Sequence, residues 1–240
     1  MLLNRILTLL GALSLTGLMH TTAAAQNLTP QDEVLVQMQQ AFAKNDRARL
    51  QQLLTQAQGH TLEPWAAYWA LRARLDTASH EEIERMLGRY AGTYAEDRLR
   101  ADWLQQLGKQ RDWATFKRIH PGYRMRDDRE IQCYALGIEA MDSKADVAAE
   151  VKRLWYALRE ADDGCTYVAE HLHNGKKLSG DDIWRKARLA MDANRPRAAR
   201  AAVEIEAPRV ADQMTLIAND PERYLSKRIV AITHKRKELA

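Results

Sequence analysis

The chain has 240 residues, of which 46% are hydrophobic and 28% charged, with a formal net charge of +4 at pH 7. That imbalance is mild, and acids and bases are interleaved as on solvated helix faces, which argues against a nucleic-acid partner. Ala, Leu, Arg, Glu and Gln dominate, Gly, Pro and Phe are few (11, 6 and 2), and no Val/Ile/Thr-rich alternating run occurs, so a β fold is excluded and an all-α protein is expected.

Residues 1–25 carry the three parts of a secretory signal. Arg5 supplies the positive charge, Ile6 to Met19 is an uncharged apolar run, and Ala23, Ala24 and Ala25 offer small residues for cleavage before Gln26. The run is shorter than the roughly 20 apolar residues a bilayer span needs, so the protein is expected to be periplasmic and not membrane-spanning. Removing the leader takes away one Arg and no acid, leaving +3.

From residue 26 to 240 the pattern is one succession of short helices. Thr29 and Pro30 open the first, with Val34, Leu35, Met38, Ala41 and Phe42 on its apolar stripe. Asn45-Asp46 breaks it, and a second helix buries Leu50, Leu53, Leu54 and Ala57 up to Gly59. A third starts at Glu63-Pro64 and turns Trp65, Tyr68, Trp69 and Leu71 inward. Ser79 and Glu82 form a capping box for a fourth, with Ile83, Met86, Leu87 and Tyr90 inward. A fifth spans Tyr94 to Leu107 and stops at Gly108. A sixth runs from Asp112 through Trp113, Phe116 and Ile119 to His120-Pro121-Gly122.

The second half repeats the theme. Asp128 to Met141 reads as a helix, Ser143 caps another to Arg159, and Asp162-Asp163-Gly164 makes a turn before a short helix from Cys165 to His173. Ser179 caps the next, with Ile183, Trp184, Ala187, Leu189 and Ala190 inward. Asn194-Arg195-Pro196 leads to an Ala-rich partner, Ala198 to Val203, and Pro208 and Pro221 open the last two helices. Paired helices of this kind resemble tetratricopeptide-like arrays without a strict period. No single pair buries its own apolar face, so neighbours stack into a superhelix with a long concave surface.

Four elements make a more specific resemblance. His60-Thr61-Leu62-Glu63-Pro64-Trp65-Ala66-Ala67-Tyr68-Trp69 is similar to an H-P-L-x-P-Y-x-x-Y-W element, with Thr61 departing from the usual Pro. Arg98 to Phe116 resembles an R-L-R-x-x-W-L-x-x-L-G-x-x-x-D-W-x-x-F run. Glu130 to Ala135 resembles L-x-C-Y-A, and Leu154-Trp155 the L-W pair that follows it. All four stand in the order found in the soluble lytic murein transglycosylases, over about 140 residues. The resemblance implies a U-shaped N-terminal superhelix of short antiparallel helix pairs, ahead of a linker and a lysozyme-like domain. In that family a single Glu, without metal or cofactor, cleaves the β-1,4 bond between N-acetylmuramic acid and N-acetylglucosamine in peptidoglycan, giving 1,6-anhydro products.

No catalytic residue carries over to these 240 positions. The family's Glu-Ser pair does not occur, and Gly17-Leu18-Met19-His20, which looks like part of the downstream G-L-M-Q segment, lies in the leader. The chain is therefore expected to be the non-catalytic N-terminal scaffold of such an enzyme, binding glycan strands. The alternative is a free-standing periplasmic module that binds peptidoglycan or an envelope protein. The resemblance also implies a disulfide between Cys133 and Cys165, since family members carry a Cys at each of these elements. These are the only two cysteines, and the leader would send both to an oxidising compartment.

Other candidates are weaker. His171 and His173 lie about 200° apart on a helix and do not share a metal. Lys235-Arg236-Lys237 reads as a solvated helix end. The six Trp fall at helical spacing beside Leu, and read as core first and as sugar-stacking platforms second.

Overall fold

The computed structural model describes residues 28–143, 145–157 and 160–226. The expected leader and the Lys235-Arg236-Lys237 cluster lie outside these residues. The elements are α1 (Pro30–Ala43), α2 (Arg47–Leu54), α3 (Glu63–Arg72), α4 (His80–Arg89), α5 (Tyr94–Gln110), α6 (Trp113–Ile119) and α7 (Arg129–Ser143). There follow α8 (Ala148–Ala157), α9 (Asp163–Asn174), α10 (Gly180–Asp192), α11 (Pro196–Glu206), α12 (Pro208–Ala211), α13 (Gln213–Asn219) and α14 (Pro221–Ser226). Short 3-10 turns at Thr55–Ala57 and His120–Gly122 extend α2 and α6. Among the described residues there is no strand, and no helix is long and apolar enough to cross a membrane.

Capping chemistry explains most of the helix starts. Thr29 and Asp32 satisfy each other's backbone at the start of α1, as Ser179 and Asp182 do at α10. Asp46, Thr93, Asp112 and Asp162 each accept an amide of the first turn of the helix they precede. Asn45, Arg111 and Asn194 adopt left-handed φ values of 53°, 61° and 56°, turning the chain between paired helices.

Several boundaries differ from the sequence expectation, each for a physical reason. Ser79 caps α4, but the Glu82 carboxylate turns away to Arg74, so the box is only half closed. Gly108 does not stop α5, which continues to Gln110. This glycine instead faces the Tyr134 ring of α7 so closely that a Cβ there would fall inside it. Ser143 ends α7, its hydroxyl donating to Glu139 O, and it is Asp146 that accepts from the Ala148 amide where α8 begins. The Asp162-Asp163-Gly164 turn is the cap and first turn of α9. Three short helices rather than two close the described chain, because α13 starts directly at Gln213. Leu189 is exposed.

Neighbours in sequence are neighbours in space, as a stacked array requires. The apolar residues form three cores in chain order. The first joins α1, α2 and α3 around Met38, Leu50 and Leu53. The second runs from α3 to α7 around Leu99, Trp103, Leu104 and Tyr134. The third runs from α7 to α13 around Val151, Trp155, Ile183 and Val203. α7 belongs to two cores, presenting Ile131, Tyr134 and Ile138 to one and Cys133 to the other.

Candidate functional site

A cleft of about 840 Å³ lies where α3 and α5 meet the turn between α1 and α2. Its floor is polar. Tyr68 donates its hydroxyl to the buried Asp102 carboxylate at 2.8 Å, and Arg72 Nε pairs with the same carboxylate at 3.0 Å. Burial, with Asp102 alongside, pushes the Tyr68 phenol up to about 12, so it stays a donor at physiological pH. At the rim Arg47 holds Asp76 at 3.1 Å. Both carboxylates that face the cleft are thus tied to arginines.

A carboxyl group with a raised pKa lies elsewhere. Burial pushes Asp162 up to about 6 despite its bond to the Cys165 amide. It faces Glu130 and Lys186 inside the fold. Lys186 is pulled down to about 8 by the same burial and donates to the Trp155 carbonyl at 2.6 Å. Asp162 caps α9.

Two further buried acids gave no signal in the sequence beyond their place in the first turn of α5. Asp97 accepts the amides of Arg124 and Met125, each at 2.9 Å, and Glu96 pairs with Arg100 and Arg124. Together they pin the loop after α6 onto α5. His171 and His173 have separate fates. His171 is exposed, and His173 spans the Leu178 carbonyl and Glu206 at 3.1 and 3.0 Å. Among the described residues no group of His, Cys, Asp and Glu could hold a metal ion. The Cys133 and Cys165 sulfurs are bonded, with Cα atoms 4.9 Å apart, joining α7 to the first turn of α9.

The tryptophans divide into two sets. Trp103, Trp155 and Trp184 are buried in the cores. Trp65, Trp69 and Trp113 are only half-buried, a departure from the expected inward-facing Trp65 and Trp69. Trp113 belongs to a ledge in which the Arg111 guanidinium lies 3.9 Å over the Tyr167 ring and pairs with Asp163. Trp65 and Trp69 face a groove of about 560 Å³ beside α1.

With this architecture in view, the chain is similar to two solved structures. One is the 70-kDa soluble lytic transglycosylase in complex with bulgecin A, at 16% identity and a TM-score of 0.52, covering 87% of this chain and 34% of that one. This chain shares its all-α superhelical fold with that enzyme. The other is an inactive mutant of the lytic transglycosylase Slt from Pseudomonas aeruginosa, at 24% identity and a TM-score of 0.49, covering 86% of this chain and 34% of that one. The chain thus spans about a third of the length of either structure. No family model matches the sequence, and no curated protein matches it.

Proposed function

We propose that this chain is the helical scaffold portion of a soluble lytic transglycosylase, exported to the periplasm, where it holds peptidoglycan strands and does not itself cleave them. The observation that carries this reading is the shared superhelical fold over 87% of the chain. Three of the four sequence elements support it, because Tyr68 and Trp69 of the first, Asp102 and Trp103 of the second, and Cys133 and Tyr134 of the third all sit at helix contacts or cleft walls. Stacked helices present long surfaces to an extended ligand, and a glycan strand is such a ligand. The test is incubation of the purified chain with sacculi. The expected result is co-sedimentation without release of anhydro-muropeptides by mass spectrometry. Release above a buffer control would overturn the non-catalytic reading, and failure to co-sediment would overturn the scaffold reading.

A further inference from the structure

The groove beside α1 is built largely from residues that an all-core reading of the sequence would hide. Trp65 and Trp69 come from α3 and Leu62 from the loop before it, while Val36 and Gln39 come from the outer face of α1. Val36, Leu62 and neighbouring Leu28 are 39%, 46% and 56% exposed, an apolar patch with no cover among the described residues. Two rings line it, Trp65 and Trp69, and a third, Tyr94, lies beside Trp65 outside that lining. Trp69 and Trp65 have centroids 6.0 Å apart with planes inclined by 33°, and Trp65 and the exposed Tyr94 are 5.6 Å apart at 40°. Phe42 stacks behind Trp69, with planes inclined by 28°, which fixes that ring before any ligand arrives.

The polar groups select among ligands. The Asp32 carboxylate is held well down, at about 2, by Thr29 and His60. Its two oxygens are taken by the Thr29 amide and hydroxyl and by His60 Nε2 at 2.9 Å, so it offers no free carboxylate to a cation. No Lys or Arg lines the groove, so a polyanion finds no counter-charge. A row of tilted rings is also not the closed cage that a quaternary ammonium group requires. What remains is a ligand with flat apolar faces, small methyl groups for Val36 and Leu62, and hydrogen-bonding edges for the exposed Gln39 amide. A pyranose bearing an N-acetyl group has all three.

We infer that this groove is a subsite for a β-1,4-linked, N-acetylated amino-sugar strand, stacked on Trp69 and Trp65 and continuing onto the neighbouring exposed Tyr94. Only the identity of the natural source, peptidoglycan, rests on the proposed function. Trp65 and Trp69 stand on the first sequence element, so the same segment both packs α3 and faces the ligand.

The experiment is calorimetric titration of the whole purified chain with the tetramer of N-acetylglucosamine, alongside sacculus co-sedimentation of the same proteins. Binding to the wild type is expected, with about tenfold weakening in Trp65→Ala and a smaller, about threefold, loss in Tyr94→Ala. Tyr94 is exposed, so its variant keeps the fold even where Trp65→Ala does not, and Trp113→Ala on the other ledge serves as the unaffected control. Absence of tetramer binding, equal affinity in Tyr94→Ala, or an equal loss in Trp113→Ala overturns the subsite. So does a concentration-dependent dimer that Tyr94→Ala breaks, because the groove then belongs to a second copy. A wild type that sediments with sacculi yet ignores the tetramer sinks the subsite and leaves the scaffold reading standing. Groove-dependent tetramer binding without sacculus binding upholds the subsite and sinks the scaffold reading.

Discussion

The block formed by α1, α2 and α3 and the block formed by α5, α7 and α9 use the same residue types to opposite ends. In the first, the core is small, built on Met38, Leu50 and Leu53, and its aromatic rings spill outward to a groove. In the second, helices approach closely enough that three glycines are required: Gly108 under the Tyr134 ring, Gly137 against Val168 of α9, and Gly164 of α9 against the Glu130 carbonyl of α7. The second block also buries three acids of α5, Glu96, Asp97 and Asp102, and a disulfide. Within one array, then, the middle is clamped and the N-terminal edge is left open. Local stability in a stacked repeat depends on such neighbour contacts, so the two blocks should come apart in experiments that load them separately.

The largest expected effect is loss of the clamp. The Cys133–Cys165 bond closes a loop with a sequence separation of 32, for which chain entropy gives about 3–4 kcal/mol. Replacing both cysteines with Ala should lower stability by that order. The loss of hydrogen-exchange protection should centre on α7 and α9 and leave α1 and α2 nearly unchanged. Equal loss of protection in α1 would mean that the blocks are one cooperative unit.

A second way to sharpen the contrast is pH. Burial raises Asp162 from 3.8 to about 6, so the folded state keeps a proton that the unfolded chain has already released. The stability from that retained proton is complete below about pH 4. It falls away as pH rises through 6, by about 2–3 kcal/mol for a shift of this size. Asp162→Asn retains the capping acceptor and removes the ionisation. Its stability should therefore match the wild type near pH 4, and exceed it at pH 7, with Lys186 still donating to Trp155 O. Denaturant midpoints at the two pH values decide it. A variant less stable than wild type at pH 7 would show that the Asp162–Lys186 attraction outweighs burial.

Packing at Gly108 should cost less than either. Ala is favoured over Gly inside a helix by about 1 kcal/mol, yet Cβ at this position meets the buried Tyr134 ring. Gly108→Ala should be net destabilising by about 1–2 kcal/mol, measured by thermal or denaturant unfolding. A stabilised variant would show that α5 and α7 can separate freely.

How much of this was legible follows from what each residue answers to. Helix starts answer to the next three residues, so Thr29, Asp112 and Ser179 could be read directly. Gly108 could not, because a glycine that stops a helix and one that admits a neighbouring ring look alike until Tyr134 is placed 26 residues away. The same holds for Glu82, a capping partner by spacing that prefers Arg74, and for Asp97, whose partners lie on a loop after α6. The aromatic groove was half legible. Helical spacing put Trp65 and Trp69 beside Leu71, but whether a ring points into a core or past its edge depends on how far α1 extends over it. That is a property of the stack and of no single helix.

The smallest expected effect tests the open edge itself. Thr29 caps α1 through the Asp32 amide at 3.1 Å, and Asp32 returns the contact to the Thr29 amide and hydroxyl while His60 holds its other oxygen. Thr29→Ala removes one capping acceptor and one donor to Asp32, and an N-cap loss of this kind costs about 1 kcal/mol. α1 carries Leu35 and Met38 into the first core and Val36 into the groove, so fraying its first turn should loosen both. The expected outcome is faster amide exchange in α1 and at His60, with exchange in α5 and α7 unchanged. If protection falls equally in α7, the N-terminal edge is as tightly coupled as the middle, and the contrast between the two blocks fails at its weakest point.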